Sequence, residues 1–327
     1  MKDFDYVKPA ADADAIHAGQ AAGARFIAGG TLLVDLLRLD VEQPESLVDL
    51  NGLPHATIEV EANGLRIGAL VKNSDLADHP QVIASFPALS QALLSGASPQ
   101  IRNMATVGGN LLQRTRCPYF RDIAVEACNK RKPGSGCAAI GGYSRMHAVL
   151  GGSDHCIAVN PSDMCVALLA LDAIVHVRGA RSERAVPLAD FHTLPGTRPD
   201  VESSLKAGEI VTAVTLVKSA LAKRSAYVKV RDRASFAFAL ASAAVGLELD
   251  GELVRSARVA LGGVATKPWR CPEVERALLG KPATIESFRA AAAEAMRDAK
   301  TTSDNQFKVE LARRVIARAL ALAGEQT

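Results

Sequence analysis

Aromatic residues are scarce in this 327-residue chain: they make up 4% of it, with a single Trp. A nucleic-acid binder that stacks bases on aromatic side chains is therefore not supported. Charge of one sign is missing too. Lys and Arg number 38 against 35 Asp and Glu, a net charge of +3, so there is no concentrated phosphate-neutralising surface of the kind a DNA-binding protein needs. No uncharged apolar run reaches the roughly 18 residues of a membrane span; the run Ala234–Leu247 falls short and is rich in small residues. The first fifteen residues lack an apolar segment and carry Asp3, Asp5, Asp12 and Asp14. They do not read as a secretory signal, which implies synthesis in the cytoplasm without an export signal of the chain's own. No G-x-S-x-G, H-E-x-x-H or P-loop pattern occurs, so hydrolase, zincin and P-loop chemistry find no support.

The length fits two domains. Short apolar runs alternate with helical stretches through the first two thirds. Arg25–Ala28 reads as a strand, Gly29-Gly30-Thr31 as a turn and Leu32–Arg38 as a helix. Ala56–Val60 and Leu65–Ala69 alternate around Asn63-Gly64, a hairpin pattern. Asp163–Leu171 predicts a helix, Ile174–Arg178 and Glu209–Val217 strands. Residues 218–225 form a polar hinge that places the boundary between domains 1–220 and 221–327. The second domain opens with strands at Tyr227–Arg231, Phe236–Leu249 and Ala257–Leu261, then turns helical at Pro272–Leu279, Ile285–Ala299 and Asn305–Ala323. In that last stretch Phe307, Leu311, Val315, Ala319 and Leu322 make one apolar face. A sheet followed by a helical layer is an α+β pattern.

Two short motifs suit a diphosphate. Ala28-Gly29-Gly30-Thr31-Leu32 joins a strand to a helix. Paired glycines let backbone N–H groups converge on a phosphate without side chains in the way. Thr31 is placed to cap the helix or to offer its hydroxyl to the phosphate. Thr106-Val107-Gly108-Gly109-Asn110-Leu111 repeats the chemistry about 80 residues later. A frequent strand–helix turn would look the same, but two such loops in one domain suit a ligand with two phosphates. Asn160-Pro161-Ser162-Asp163 opens a helix, either as a plain cap or with Asp163 accepting from a sugar hydroxyl.

Cysteine is informative. Four of the six lie in one stretch, Cys117, Cys128, Cys137 and Cys156, within residues 112–158, which show no steady period. A chain this long needs no disulfide staples. The spacing is wider than the Cys-x-x-Cys of zinc ribbons or ferredoxins. Arg114, Arg116, Arg121, Lys130, Arg131 and Lys132 face only Asp122 and Glu126 in the same stretch, a surplus that suits an anionic thiolate cluster. Iron–sulfur, zinc with His147 or His155, disulfides and packed thiols all stay open on spacing alone. Cys165 and Cys271 read as packed thiols. Gly134-Ser135-Gly136 matches a Rossmann fingerprint by letter but follows no strand and opens no helix, so it is set aside.

Together, Ala28–Leu32, Ile101–Leu111, Asn160–Asp163, Tyr227–Arg231 and Ala260–Ala265, in this order, resemble the FAD-binding medium subunits of molybdenum hydroxylases, the xanthine dehydrogenase and carbon monoxide dehydrogenase family. The resemblance covers nearly the whole chain. The Cys-bearing stretch is similar to that of the FAD subunit of bacterial periplasmic aldehyde oxidoreductases, and also to the flavin subunit of 4-hydroxybenzoyl-CoA reductase. It implies an α+β fold: a vanillyl-alcohol oxidase (PCMH)-type FAD-binding domain of two subdomains, then a CO dehydrogenase flavoprotein-type C-terminal domain. It implies FAD held by Phe26, Ile27, Ala28, Gly29, Gly30, Thr31, Leu32, Leu33, Thr106, Gly109, Asn110, Asp163, Lys229 and Arg231. It also implies a 4Fe–4S cluster on Cys117, Cys128, Cys137 and Cys156. The partners it implies are a large molybdenum-cofactor subunit, a small subunit with 2Fe–2S clusters and an external electron acceptor, with export, if any, riding on a partner's signal. A non-catalytic, zinc- or cluster-stabilised assembly module is the reading from a different class.

Overall fold

A computed structural model describes residues 1–326. Three sheets organise the chain. The first is parallel and small: β1 (Asp5–Val7), β2 (Ala24–Ile27) and β3 (Ser46–Asp49), with β3 in the middle. The second has five antiparallel strands: β4 (Ile58–Glu61), β5 (Gly64–Gly68), β6 (Ile174–Arg178), β7 (Glu183–Pro187) and β8 (Ile210–Val217), in the order β4-β5-β8-β6-β7. The third holds β9 (Ser225–Val230), β10 (Ala241–Asp250), β11 (Leu253–Gly262) and β12 (Trp269–Arg270), in the order β12-β11-β10-β9.

Local rules explain several boundaries and correct others. In the β4–β5 hairpin Glu61 pairs with Gly64, so the two-residue loop is Ala62-Asn63 rather than Asn63-Gly64. Gly64 belongs to the strand because a side chain there would strike the Leu216 carbonyl of β8. Strand β10 begins at Ala241, not Phe236: Phe236 has φ of 50°, outside the extended region, and residues 236–239 are irregular. Residues 218–225, expected as a polar hinge, contain the helical turn Ala220–Lys223, capped by Ser219. β7 and the helix Pro80–Ser85 were not foreseen from the sequence pattern.

The third sheet is covered on both sides. Alternate residues of β10 divide between two cores. Ala243, Val245 and Leu247 pack toward the C-terminal helices, while Ala244 joins the core formed with helices Pro87–Ser95 and Asp163–Ala170. A strand buried on two faces needs small residues where another backbone comes close. Gly246 and Gly262 supply them, since side chains there would strike Leu221 and Val166. The two domains thus share packing across a sheet face.

The final helix, Phe307–Gly324, is amphipathic, but its buried stripe runs through Lys308, Ala312, Val315, Ile316, Ala319, Leu320 and Ala323. Phe307 is 38% exposed, and Arg145 stacks on its ring. Lys308 takes the inward place: it is 0% exposed and its Nζ donates to the Gly263 carbonyl at 2.7 Å. Burial, and then the charge of Arg145, pull its ammonium down to about 7. The unfolded chain keeps that proton up to the ordinary lysine range, so between the two values it binds more protons than the folded chain. Stability from this group therefore rises as pH climbs from about 7 toward 10, and is lowest below 7. Denaturant midpoints between pH 6 and 9.5 are expected to show this rise in the natural chain. Lys308→Met is expected to flatten it, and an unchanged slope in that variant would assign the rise to another group.

Candidate functional site

The site is built outward from the end of β2. The chain leaves Ile27, turns through Gly29 and Gly30, and enters the helix Leu33–Arg38. Gly30 sits at φ of 70°, which a side chain resists. Gly29 lies against the second glycine motif: a Cβ there would collide with the Met104 carbonyl. The two bends thus touch each other. Thr31 does not cap the helix; the cap position is Leu32, without a side-chain hydrogen bond. The backbone N–H groups of Gly29, Gly30, Thr31 and Leu32 donate to no other protein group among the described residues. Four consecutive unclaimed donors at a cavity wall form a concave site for an anion.

The second bend is anchored more tightly. Val107 N–H donates to Val71 and Gly108 N–H to Ala69, at 3.0 and 2.7 Å. Thr106 caps its helix through Gly109 N–H at 3.2 Å. Asn110 accepts from Ser162 Oγ at 2.8 Å and from Gln113 Nε2 at 2.5 Å, which joins this bend to the Asn160–Asp163 segment. There Ser162 caps helix Asp163–Ala170 through Cys165 N–H at 3.0 Å.

Asp163 has a different job from capping. Its Oδ1 accepts from Tyr227 Oη at 2.5 Å and its Oδ2 from Lys229 Nζ at 2.7 Å. Tyr227 and Lys229 lie two apart on β9 and so share a face. Lys229 is 3% and Asp163 9% exposed, and burial followed by the Asp163 charge drives the Tyr227 phenol well above its ordinary value. This triad ties the second domain's sheet to the first domain. Tyr227 is missing from the sequence-derived set, although its two-residue spacing from Lys229 was visible.

These elements surround a cavity of about 1280 Å³. Phe26 to Leu33, Thr106, Gly109, Asn110, Asp163 and Lys229 all border it. Arg231 does not; its guanidinium donates to the Ser95 carbonyl at 3.0 Å. The sequence reading did not point to His192, Glu202, Phe236 or Phe238 as lining residues, and these come from distant loops. His192 is buried and its Nε2 donates to the Leu111 carbonyl at 2.9 Å; burial lowers its pKa.

The four clustered cysteines are brought into one loop region and are all free thiols. Cys128 and Cys137 face each other across an isolated bridge, and Cys137 hydrogen-bonds Cys156. Cys117 meets His147 Nε2 at 3.1 Å. No three His, Cys, Asp or Glu side chains among the described residues converge on one metal ion. A four-iron cube gives each thiolate its own iron, so its ligands need not converge on a point. Backbone N–H groups of Tyr119 and Phe120 face Cys117, those of Ala139, Ile140 and Ile157 face Cys137, and that of Ala158 faces Cys156. Such donors suit bound thiolates. Burial, with a smaller contribution from the charges of Cys128 and Cys137, pushes the Cys117 thiol up to about 11, while the Cys156 contact brings Cys137 down to about 6 and raises Cys156. Cys165 and Cys271 are buried elsewhere, as expected of packed thiols.

The cations of this loop are less exposed to each other than the local sequence suggests. Arg114 pairs with Glu42 and with Glu202, Lys130 with Glu202 at 2.8 Å, and Arg121 with Asp35 at 2.5 Å. Their counter-charges come from distant sequence, so the loop is held against the first domain by ion pairs.

Comparison with known proteins decides the family. Residues 2–216 match the FAD binding domain in molybdopterin dehydrogenase, and residues 225–323 the CO dehydrogenase flavoprotein C-terminal domain. The chain belongs to the FAD-binding medium subunits of molybdenum hydroxylases. It is 50% identical over 330 aligned positions, with both chains fully covered, to the aldehyde oxidoreductase FAD-binding subunit PaoB of Escherichia coli K12. It is 27% identical to the carbon monoxide dehydrogenase medium chain of Hydrogenophaga pseudoflava, covering 98% of this chain and 96% of that one. The structure of quinoline 2-oxidoreductase from Pseudomonas putida 86 superposes with a TM-score of 0.76 at 25% identity, covering 99% of this chain and 97% of that one. The expected α+β class is thereby established, and with it an oxidoreductase family.

The Asp163–Lys229 pair yields a direct test. Lys229→Met leaves a buried carboxylate uncompensated and is expected to cost about 3–5 kcal/mol. Adding Asp163→Asn is expected to recover most of the loss in denaturant unfolding. A double variant no more stable than Lys229→Met would mean the pair does not join the domains.

Proposed function

We propose that this chain is the FAD- and 4Fe–4S-carrying electron-transfer subunit of a molybdenum-dependent aldehyde oxidoreductase. The observation that carries the reading is the run of four unclaimed N–H groups in the Gly29–Leu32 bend, opening on a cavity large enough for a dinucleotide. Full-length 50% identity to an aldehyde oxidoreductase FAD-binding subunit supports the choice of enzyme.

In this reading Gly29, Gly30, Thr31 and Leu32 hold the diphosphate of FAD with backbone donors, and Gly109 and Asn110 close the opposite side. Phe26, Ile27, Ala28 and Leu33 give the apolar wall that excludes water. Thr106 keeps its bend in shape through Gly109, and Asp163 and Lys229 fix the domain seam beside the cofactor. Arg231 acts from behind the wall, holding the Ser95 carbonyl. Bound FAD supplies the two-electron storage; the protein sets access and local charge. The substrate pocket for the aldehyde belongs to the large molybdenum-cofactor subunit, and a small 2Fe–2S subunit relays electrons here.

Cys117, Cys128, Cys137 and Cys156 hold the 4Fe–4S cluster. The N–H donors aimed at three of these sulfurs would stabilise the negative charge of the thiolates. Cys128→Ser is expected to remove iron and acid-labile sulfide from the purified complex and to leave FAD in place, read by metal analysis and visible absorption. Unchanged iron content would show that Cys128 is not a ligand.

A further inference from the structure

Nine Lys and Arg side chains border the cavity, and four of them, Arg102, Arg116, Arg131 and Arg233, form no ion pair among the described residues; Arg102 and Arg131 are each held by two or more carbonyls, whereas the half-buried Arg116 has one and stands beside a second guanidinium, Arg121. Arg121 pairs with Asp35, yet its Nη1 is buried with no hydrogen-bond partner. Arg116 borders the cavity and forms no ion pair among the described residues; it donates to the Arg114 carbonyl at 2.6 Å. Arg121 is the charge that opposes it, and Asp35 is the carboxylate that helps it. Two positive groups therefore face one carboxylate in partly desolvated surroundings, an arrangement that an incoming anion relieves.

The place of this surplus matters. The Arg116 guanidinium lies 5.1 Å from the centroid of the Phe238 ring. Phe238 and Phe236 border the same cavity and are 42% and 53% exposed. Arg233 holds this segment by donating to the Phe236 carbonyl at 3.1 Å through Nε. The cation thus stands at an open, aromatic-lined side of the cavity. A buried diphosphate already has neutral donors in the glycine bend. A full charge beside two solvent-facing rings suits a solute that arrives and departs, attracted by charge and seated on an apolar face.

We propose that Arg116, backed by Arg121, is the recognition point for a small, negatively charged electron acceptor that docks over Phe238. This names the acceptor class for the function given above and rests on FAD being bound. The redox balance is simple: each reduced flavin gives up two electrons and releases the protons it had taken up, and two one-electron anions such as ferricyanide are reduced.

The test uses the purified complex with its partner subunits, reduced with dithionite and mixed in a stopped-flow instrument with ferricyanide or with neutral benzoquinone. Arg116→Gln is expected to slow reoxidation by limiting ferricyanide about tenfold or more, from loss of a charged contact, and to leave the benzoquinone rate alone. Arg116→Lys is expected to restore much of the ferricyanide rate, and high salt to erase the difference between Arg116→Gln and the natural protein. Equal slowing with both acceptors would overturn the proposal. So would loss of FAD from Arg116→Gln, which would assign the guanidinium to the cofactor's own phosphates. A natural complex without flavin would instead defeat the FAD reading itself.

Discussion

The Met104 carbonyl occupies the space that any side chain at position 29 would need. This contact presses the two glycine bends together and leaves four N–H groups of Gly29–Leu32 facing the cavity with no protein acceptor. An unpaired backbone donor away from water costs about 1–3 kcal/mol, so a run of them is stable only where solvent or a ligand reaches it. The second bend is held by bonds to Val71 and Ala69, just beyond the end of β5 in the five-stranded sheet. A bend with free donors thus lies on one anchored to the segment that follows β5.

The rest of the molecule holds the cavity walls in register. The third sheet is buried on both faces, with Gly246 and Gly262 allowing close approach. Its β9 strand sends Tyr227 and Lys229 to Asp163 across the seam. The cysteine loop is clamped from both sides. Glu42, Glu202 and Asp35 hold its cations on the first domain. On the second domain, Asp304 accepts from Ser144 N–H at 2.9 Å and Thr302 shares a hydrogen bond with Ser144 Oγ at 2.6 Å. A long irregular loop keeps a defined shape this way without secondary structure of its own.

Much of this could be read from the chain before its structure. Strands β2, β5, β6 and β8 lie close to their expected positions because alternation and turn residues are local signals. The glycine bends stand out because two of them lie in one domain, although a single such strand–helix turn is common. What escaped depended on distant partners. The inward stripe of the last helix includes Lys308 instead of Phe307, because the Gly263 carbonyl gives a buried amine an acceptor. Phe236–Phe238 read as strand by apolarity, yet form part of the cavity rim. The excess positive charge of the cysteine loop looked unopposed because Glu42 and Glu202 are far away in sequence. Tyr227 lies within the Tyr227–Arg231 motif, but its place at the seam depends on Asp163, far away in sequence, and His192 carries no local motif.

The grip of the Gly29–Leu32 bend on a diphosphate is the central claim, and it is tested most directly by ligand competition. Deflavinated complex, titrated with FAD and with riboflavin and followed by flavin fluorescence, separates the diphosphate from the ring. The account predicts that FAD binds far more tightly than riboflavin, and that ADP displaces FAD at high concentration. Riboflavin binding as tightly as FAD, with ADP without effect, would contradict it.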